Sequence, residues 1–366
     1  MITPVSPLAT QLERLDRSRA ARRQREPMSD ARITLSHGSG GKASHHLIDG
    51  LILPALGAAA ATLNEDSAVV TVAGLASGRL ALTTDSYVVS PLFFPGGDIG
   101  SLAVHGTIND LAMAGAQPLF LSLAFILEEG LETDVLCAVV RSIGEAAAAA
   151  GVTIATGDTK VVPRGKADRM FVNTTGVGLV PEGPSLSAIN LRPGDQVLLS
   201  GFIGDHGIAV MLAREALEIE ADIRSDSAPL HRMVAEVLAA APSTRAFKDP
   251  TRGGVATTLN EMARHAGVAI AIDERRIPVR ADVRAACEML GLDPLHIANE
   301  GKLIAVVPSA DADAALQAMR AAPHGSAASI IGEVLDGPQD MVLLRTEAGG
   351  SRVLDMLVGD PLPRIC

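Results

Sequence analysis

The residues best suited to chemistry are aspartates that lie where apolar residues would be expected. They occur at strand edges in "NEDSAVV", "LTTDSYVV" and "ATGDTK", and within the apolar segment "TINDLAMAGA". A charged side chain is unfavourable there unless it is paired or bound to a metal. Mg²⁺ binds both carboxylates and nucleotide phosphates, so the pattern indicates a site for magnesium and a nucleotide. Each aspartate alone could instead be a turn former or a cap. The predicted ligands are Asp66, Asp85, Asp110 and Asp158.

Three short stretches add charged residues of the same kind. In "GDTKVV", Lys160 could neutralise phosphate oxygens or, if desolvated, act as a base. "DPTRGG" opens a predicted helix with Asp249 and Arg252, as an anion site would. "NEGK" places Glu300 before an apolar strand. An N-cap, a surface ion pair or a turn is the structural alternative for each stretch.

The glycine cluster "HGSGGK" (37–42) invites comparison with a phosphate-binding loop. The pattern GxxxxGK[ST] fails, because Ser36 replaces its first glycine and Ala43 its final hydroxyl residue. Gly38, Gly40 and Gly41 still lie between a predicted strand and a predicted helix, where backbone N–H groups could approach an anion. A simple turn is the alternative.

The chain ends in "GDPLPRIC", so that its last residue is a cysteine. The three cysteines show no metal-ligand spacing and their odd number argues against a disulfide framework, which predicts reduced thiols. Cys137 and Cys287 lie in helix-like segments with apolar neighbours and are predicted to be buried. Cys366 follows two prolines, which predicts a stiff, extended arm that carries a thiol, with an accidental exposed thiol as the alternative.

Composition limits the class of protein. A length of 366 residues favours two domains, and 48% hydrophobic with 20% charged residues is typical of a globular protein. A net charge of -11 argues against nucleic acid as a partner. The longest apolar run, 118–127, is about half the ~20 residues that a membrane span needs, and no apolar signal segment precedes it. We therefore expect a cytoplasmic protein without a membrane partner.

The order of predicted elements indicates an α+β fold of two domains, because strands occur in adjacent pairs rather than in strict βαβ alternation. Residues 1–31 are arginine-rich and are predicted to be a disordered or variable extension. The segment "PEGPS" marks the boundary between a first domain, 32–183, and a second, 184–350. Residues 351–366 then form a last strand and the arm. Asn109 and Asp110 fall inside a predicted helix of the first domain.

Several motifs together resemble the PurM-like family of ATP-dependent enzymes and, within it, the factors that mature [NiFe]-hydrogenases. They are "HGSGGK", "TTDSYVVSPLFFPGGDIG", "GTINDLAMAGA", "FILEEG", "TGDTKVV", "GDHG", "DPTRGGV", "ANEGK" and "PRIC". The resemblance covers residues 32–366, and the terminal cysteine motif is specific to that branch. Residues 1–27 have no counterpart in the pattern.

The resemblance implies a reaction on the terminal thiol. A carbamoyltransferase, HypF, would load a carbamoyl group onto the sulfur of Cys366. ATP would then phosphorylate the amide oxygen, and loss of phosphate and of the amide protons would leave a thiocyanate. Cyanide would be passed to iron held by the partner pair HypC and HypD. The product would supply the cyanide ligands of the hydrogenase.

The reaction that the resemblance implies has physical requirements, and residues of this chain are candidates to meet each of them. A base must take protons from nitrogen, and Glu300 and Lys160 are the two candidates. Gly38, Gly40 and Gly41 would close over the nucleotide and exclude water. The remaining predicted ligands of ATP, or of Mg²⁺ with it, are Asp66, Asp85, Asn109, Asp110, Asp158, Asp249 and Arg252.

The family architecture implies a homodimer whose N-terminal sheets pair into a barrel, with ATP near that interface. Two alternatives for the function remain. One is another PurM-like ATP-dependent synthetase or kinase, against which Cys366 argues. The other is a thiol-arm carrier without catalytic activity, whose nucleotide site only regulates docking.

Overall fold

The structure is a computed structural model that describes residues 42–47, 68–70, 78–183, 185–214 and 221–357. The described residues form two mixed sheets with helices packed against them and one small ribbon of two short strands. Parallel and antiparallel neighbours occur in both sheets, and the α+β class predicted from the sequence is confirmed.

The first half of the described chain carries a short helix, a five-stranded sheet and two long helices. Its elements are α1 (Lys42–Leu47), β1 (Ala68–Val70), β2 (Arg79–Tyr87), β3 (Phe93–Phe94), β4 (Gly97–Asp98), α2 (Ile99–Met113), β5 (Gln117–Glu128), α3 (Thr133–Ala150), β6 (Thr153–Val162) and β7 (Met170–Val180). The strand order is β1-β2-β7-β5-β6, with β3 and β4 paired apart from it.

The long helix α2 is the centre of this half. Asp98 caps it: its Oδ1 accepts the N–H groups of Gly100 at 2.6 Å and Ser101 at 3.2 Å, while the Ser101 hydroxyl oxygen accepts the N–H of Asp98. This reciprocal cap satisfies donors that the first helical turn leaves unpaired. Most of the helix is buried around its circumference, which is the pattern of a helix inside a core rather than on its surface.

The opposite face of the first sheet is open in the described structure. Leu82 of β2 and Phe120 of β5 both pair with Val177 of β7, so the three side chains form one row on the same face. Leu82 and Phe120 are 47% and 49% exposed. Strand β6 is exposed along most of its length. The face therefore presents apolar side chains that the described residues do not cover.

The second half holds a seven-stranded sheet. Its elements are β8 (Gln196–Leu199), α4 (Asp205–Arg214), α5 (His231–Ala240), β9 (Ala246–Lys248), α6 (Gly254–Ala266), β10 (Ala269–Asp273), α7 (Ala281–Leu290), β11 (Ile304–Val307), α8 (Ala312–Ala321), β12 (Ser329–Leu335), β13 (Met341–Arg345) and β14 (Ser351–Leu354), with 3₁₀ turns at Ala188–Asn190, Glu274–Arg276, Pro294–His296 and Ser309–Asp311. The strand order is β14-β13-β10-β12-β8-β11-β9.

Helices cover both faces of the second sheet. In β8, Val197 packs into the core cluster that contains Leu259 of α6, whereas its neighbour Leu198 packs on the other side with α5 and α8. Alternate residues of a strand point to opposite faces, so a strand covered on both sides must be apolar throughout, as "IAVV" of β11 is. Met113, at the end of α2, packs into the cluster of α5 and α8 and thereby joins the two halves.

The two cysteines within the described residues differ. Cys287 is buried, as predicted, and burial raises the pKa of its thiol to about 11. Cys137 is exposed, so its predicted burial is wrong. The buried stripe of α3 runs through Val139, Ile143 and Ala147, and Cys137 lies on the far side of the helix from Val139. Among the described helices, none has the length and apolarity to cross a bilayer.

Candidate active site

Three segments that the sequence marks with glycines meet around Asn299. Its side chain is completely buried. Its Nδ2 donates to the carbonyl oxygens of Pro250 at 2.9 Å and Ile297 at 3.0 Å, and its Oδ1 accepts the N–H of Gly204 at 2.8 Å. The amide therefore ties "GDHG", "DPTRGG" and "ANEGK" into one unit, although they are far apart in the chain.

Glycine is required where these segments touch. Gly254, the first residue of α6, has a left-handed φ of +61°, and a Cβ there would lie 2.6 Å from the carbonyl oxygens of Leu295 and Ile297. A Cβ on Gly301 would lie 1.8 Å from the carbonyl oxygen of Asp226. Both contacts are far closer than a methyl group tolerates, so only glycine lets the backbones approach in this way.

Glu300 lies at the centre of this unit and is only 3% exposed. Its N–H donates to Asp226 Oδ1 at 3.1 Å, and its carbonyl oxygen accepts from Asn109 Nδ2 at 3.0 Å. Its Oε1 is buried and makes no hydrogen bond with the described residues. The backbone of Glu300 is therefore held on both sides, whereas one oxygen of its carboxyl group has no hydrogen-bond partner within the described ranges.

The electrostatic surroundings favour the neutral form of that carboxyl group. Burial raises the pKa of Glu300 well above its usual value, and the negative charges of Asp249, Asp85 and Asp226 raise it further, against a smaller opposing effect of Arg252. Asp249 is itself almost buried, at 7% exposure. Carboxylates from both halves of the chain thus act on one buried acid.

His206, the histidine of "GDHG", is a basic side chain that lies beside Glu300. Its Nε2 lies 4.0 Å from Glu300 Oε1, and the imidazole is completely buried. Its Nδ1 and the hydroxyl of Ser225 share a hydrogen bond of 2.8 Å. The ring packs edge to face against Phe94, with 5.5 Å between ring centroids. The imidazole is therefore fixed beside the carboxyl group.

A second group of side chains lies where β2 faces α2. Thr83 donates its hydroxyl to Asp110 Oδ2 at 2.7 Å, which fixes the orientation of that carboxylate. Asp85, two residues further along β2, is partly exposed, and its Oδ1 accepts the N–H of Ser86 at 2.8 Å. Burial raises the pKa of Tyr87, and the charges of Asp85 and Asp110 raise it further. The charges of both predicted residues, Asp85 and Asp110, therefore act on the same buried side chain.

Asp158 and Lys160 lie apart from this group in the single chain. Both are on β6, at the edge of the sheet, where Lys160 Nζ donates to the two oxygens of Asp158 at 2.9 and 2.7 Å. The pair is exposed, and the Lys160 hydrogen bond lowers the pKa of Asp158. Two strands separate β6 from β2, a distance of about 14 Å. Within one chain, Asp158 and Asp85 cannot share an ion.

Asn109 is in the expected helix but faces the second half of the chain. Its Nδ2 donates to the carbonyl oxygens of Ala228 and Glu300, both at 3.0 Å, and its Oδ1 accepts the N–H of Leu230 at 2.8 Å. Both N–H bonds of the amide are therefore used, and the side chain is only 1% exposed. In this structure the amide bridges the two halves.

The remaining predicted residues lie outside the described part of the chain: Asp66, Gly38, Gly40, Gly41 and Cys366. The last residue of "HGSGGK", Lys42, is described. Lys42 forms an ion pair of 2.8 Å with Asp355, shortly before the terminal segment. The ion pair therefore joins the first described helix of the chain to the end of its last described strand.

The donor chemistry of the site fits Mg²⁺ bound together with a nucleotide. In the described ranges, no three His, Cys, Asp or Glu side chains are placed to hold an ion by themselves. A nucleotide-bound Mg²⁺ needs only one or two protein carboxylates, because phosphate oxygens and waters complete its shell. The carboxylates of Asp85 and Asp249 both act on Glu300, so this region carries negative charge that a cation would offset.

Sequence reasoning missed four residues that shape the site: His206, Asp226, Asn299 and Lys302. Three of them lie in or beside motifs that were singled out, "GDHG" and "ANEGK", so a histidine or amide next to glycines was a usable signal. Asp226, in "RSDSAPL", has no such signal. Its role arises only because the segment 221–230 packs against the Glu300 segment.

Comparison with known proteins agrees with this arrangement. Family models described as "AIR synthase related protein" match residues 64–180 with the N-terminal domain and 192–344 with the C-terminal domain. The carbamoyl dehydratase HypE of Azotobacter vinelandii is 55% identical over 334 residues, which cover 91% of this chain and 97% of that protein.

Solved structures extend the likeness to three dimensions. The structure of a HypE–HypF complex contains a chain that is 47% identical, with a TM-score of 0.80 and coverage of 85% of this chain and 99% of that chain. HypE in complex with ATP is 48% identical, with a TM-score of 0.77 and coverage of 92% and 100%. Together with the two matched domains, these likenesses show that the chain belongs to the HypE family of carbamoyl dehydratases, within the AIR synthase-related, PurM-like proteins.

Proposed function

We infer that this chain is an ATP-dependent carbamoyl dehydratase that acts on a carbamoyl group carried by the sulfur of Cys366. Membership of the HypE family supports the activity, and the complex of a HypE with ATP supports the nucleotide. One observation in the structure carries the assignment of the site. The buried carboxyl group of Glu300 has an oxygen without a hydrogen-bond partner among the described residues, and it lies among carboxylates suited to a metal-bound nucleotide.

The reaction has two stages. In the first, the amide oxygen of the thiocarboxamide attacks the γ-phosphorus of ATP, ADP leaves, and one N–H proton is lost to a base. In the second, the C–O bond to phosphate breaks, the second N–H proton is lost, and the electron pair of the nitrogen completes the triple bond. The products are S-cyano-Cys366, ADP, phosphate and protons. The protein must supply a base and must exclude water, which would hydrolyse the activated intermediate.

We propose Glu300 as the base. Its neighbours hold its pKa above the usual value, so that the carboxylate is a stronger base than an exposed glutamate. The positive charge of a Mg²⁺ ion bound close by would favour the carboxylate form when the substrate is in place. Lys160 is the other candidate from the sequence. In the single chain it is exposed and paired with Asp158, which suits neutralisation of phosphate better than proton abstraction.

We propose Asp85 and Asp110 as the carboxylates nearest to the metal and the nucleotide, with Asp66 and Asp158 as further ligands on the basis of the sequence. When bound, Mg²⁺ would neutralise the negative charge that develops on the phosphate oxygens. Thr83 orients Asp110, and Asp249 and Arg252 lie near enough to Glu300 to act on its pKa. Gly38, Gly40 and Gly41 would close over the nucleotide.

We also propose a homodimer that pairs the open faces of the first sheets. The row of Leu82, Val177 and Phe120 is the apolar surface that such pairing would cover. A second copy would bring its own β6, with Asp158 and Lys160, toward the site of the first. This arrangement would explain why the two residues lie far from Asp85 within one chain.

Three further proposals concern partners and place. HypF is the proposed carbamoyl donor, since a HypE is known in a HypE–HypF complex. The HypC and HypD pair is the proposed acceptor of cyanide for the hydrogenase iron. The protein is proposed to act in the cytoplasm, because the reaction needs a reduced thiol at Cys366 and that compartment keeps thiols reduced.

The decisive experiment measures phosphate release by the S-carbamoylated protein after ATP is added. A dehydratase releases one phosphate for each carbamoyl group converted to the cyano adduct. A carrier without activity would bind ATP and keep its carbamoyl group. A kinase or synthetase of the same fold would consume ATP with a small-molecule acceptor whether or not Cys366 is loaded. Either of the last two outcomes would refute the proposal.

A further inference from the structure

We propose that Asn109 is a positioning residue for Glu300: its side-chain amide fixes the Glu300 peptide against the helix that carries Asp110, and so sets the distance between the base and the nucleotide. The inference rests on the proposed role of Glu300 as the base. It assigns Asn109 a different task from the nucleotide contact predicted from its place in "TINDLA".

The geometry of the Asn109 amide leaves little capacity for a ligand. Nδ2 spends both of its N–H bonds on backbone carbonyls, those of Ala228 and Glu300. Oδ1 accepts the N–H of Leu230, and the whole side chain is buried. A nucleotide group could bind there only by breaking one of these bonds, which would leave a buried polar atom unpaired.

The bonds reach two segments that both matter to Glu300. One is the Glu300 peptide itself. The other runs through Ala228 and Leu230, and two residues before Ala228 it carries Asp226, which accepts the Glu300 N–H. Asn109 therefore holds the Glu300 peptide directly through its carbonyl group and indirectly through the segment that holds its N–H.

The other side of Asn109 is the nucleotide side. Asp110 is the next residue in α2 and is oriented by Thr83 of β2. Consecutive helical residues point about 100° apart, so one turn of α2 presents a carboxylate to β2 and an amide to the second half of the chain. Because both residues belong to one rigid helix, the distance between the phosphate-binding side and the base is fixed by a single element.

Catalysis is sensitive to such a distance. A displacement of about 1 Å between reacting groups lowers a rate by roughly 100-fold, even when binding is unchanged. In Asn109→Asp, one carboxylate oxygen can still accept the Leu230 N–H, but the other faces the carbonyl oxygens of Ala228 and Glu300. Repulsion between these oxygens should move the Glu300 peptide.

The test uses the full-length chain, carbamoylated at Cys366 by the loading partner and mixed with ATP in a single turnover. Conversion of the C-terminal peptide is followed by mass spectrometry over a range of ATP concentrations. For Asn109→Asp we expect the rate at saturating ATP to fall by roughly 100-fold. The ATP concentration for half-maximal rate should not change. Asn109→Ser, which is shorter and uncharged, serves as the second variant if the first does not fold.

Asn260→Asp is the matched control. Asn260 is also a buried helical asparagine, and its Nδ2 donates to the carbonyl oxygens of Ala256 at 2.8 Å and Leu354 at 2.9 Å, away from Glu300. Leu354 remains paired with Val342 in the sheet. The same substitution should lower the thermal midpoint in both variants, but only the change at Asn109 should lower the conversion rate of folded protein.

A double-mutant cycle tests whether Asn109 acts through Glu300. Glu300→Asp moves the carboxyl group back by one methylene group and should itself lower the conversion rate. If Asn109→Asp acts by displacing the same carboxyl group, it should lower the rate of the Glu300→Asp protein by less than it lowers the rate of the wild type, so the two rate losses should not multiply. Losses that multiply would overturn the proposal. So would an increased ATP requirement at an unchanged maximal rate, or an equal rate loss in Asn260→Asp. Glu300→Gln distinguishes failure of this proposal from failure of the proposed function. If Glu300→Gln keeps full activity, Glu300 is not the base. If Glu300→Gln is defective and any of the contrary results at Asn109 is found, only the positioning role of Asn109 is refuted.

Discussion

The ammonium group of Lys302 lies 3.0 Å from Asp226 Oδ2, and the two side chains are only 7% and 3% exposed. Burial alone would raise the pKa of Asp226, but the positive charges of Lys302 and His206 and the hydrogen bond from the Glu300 N–H keep it below its usual value. The ion pair is thus part of the frame that holds Glu300, because the other oxygen of Asp226 accepts that N–H.

We expect Lys302→Met to be strongly destabilising, because it leaves a buried carboxylate without its cation. Loss of one partner of a buried pair lowers the free energy of unfolding by about 3–5 kcal/mol. The double variant Lys302→Met/Asp226→Asn should recover most of that loss, since the amide oxygen can still accept the Glu300 N–H. Urea denaturation measures both.

The exposed pair of Arg345 and Glu333, 2.9 Å apart, provides the control. Arg345→Met should change the free energy of unfolding by about 1 kcal/mol or less, because solvent screens that pair. If the double variant at Asp226 and Lys302 were as unstable as the single one, an unpaired buried charge would not be the cause.

Glu300→Gln should accept a carbamoyl group at Cys366 but stall before the cyano adduct forms. The amide is nearly the same size as the carboxyl group, so the fold and the ATP site remain while proton removal is lost. General base catalysis contributes roughly 10²–10⁴-fold, and we expect a loss of that order in the rate of conversion. Mass spectrometry of the C-terminal peptide distinguishes the two adducts. Conversion at the wild-type rate would show that Glu300 is not an essential base.

The stability of Glu300→Gln relative to the wild type should increase as the pH rises. The folded-state pKa of Glu300 is raised, so between its usual pKa and the raised value the folded chain keeps a proton that the unfolded chain has released. The free energy of unfolding of the wild type therefore falls with increasing pH across this window. A glutamine side chain cannot titrate, so the advantage of Glu300→Gln should grow upward from the usual glutamate pKa of 4.5. The thermal midpoints of the two proteins are measured across a pH series. A difference between the midpoints that stays constant with pH would contradict the prediction.

Asp85→Asn and Asp110→Asn should weaken Mg·ATP binding without unfolding the protein. Both carboxylates lie where β2 faces α2, and an amide keeps the hydrogen bonds to Ser86 and Thr83 but removes the charge. We expect the dissociation constant to rise about tenfold or more, as for the loss of roughly 1.4 kcal/mol of electrostatic attraction. Calorimetric titration measures it. Glu145→Gln, at an exposed position on α3, should bind as the wild type does; wild-type affinity in both aspartate variants would refute the metal site.

Much of the fold follows from local sequence signals. The segment "DIGSLAVHGTINDLAMAGA" predicts a helix, and α2 spans Ile99–Met113 because Asp98 caps it and the apolar residues continue around it. Cys137 shows the limit of such reasoning. Apolar neighbours along the chain predict burial, yet the residue lies off the buried stripe of its helix. Only the periodicity of the stripe, not local composition, indicates which face is covered.

Some residues of the site can likewise be predicted from the sequence, and others cannot. Asp85, Asp110 and Glu300 are visible in the sequence because a charge in an apolar or glycine-rich setting needs an explanation. Asp226 is not visible, because its contact with Glu300 joins residues that are 74 positions apart. The case of Asn109 is intermediate: its place in a buried helix marks it as important, but only the three backbone partners show what it holds.

The terminal position of Cys366 leads to a prediction about extension of the chain. Near the end of the described chain, Asp355 is paired with Lys42 and Met356 is buried. The roughly ten residues from there to the thiol could reach at most about 33 Å, which is enough for the movement between loading partner and nucleotide that the proposed function requires. We expect a short peptide added after Cys366 to abolish formation of the cyano adduct and to leave ATP affinity unchanged.

The physical reason is that, under the proposed function, the added peptide would have to enter the same water-excluding site as the thiol. The extension also removes the terminal carboxylate beside the sulfur, whose negative charge would raise the pKa of a neighbouring thiol, and so alters its reactivity. The same peptide added before Met1 is the control for bulk, and Cys366→Ala defines the absence of reaction. ATP affinity and cyano-adduct formation are measured on all four proteins with the loading partner present. A C-terminally extended protein that forms the adduct at the wild-type rate would show that the thiol need not be the end of the chain, because the site must then admit a continuing peptide.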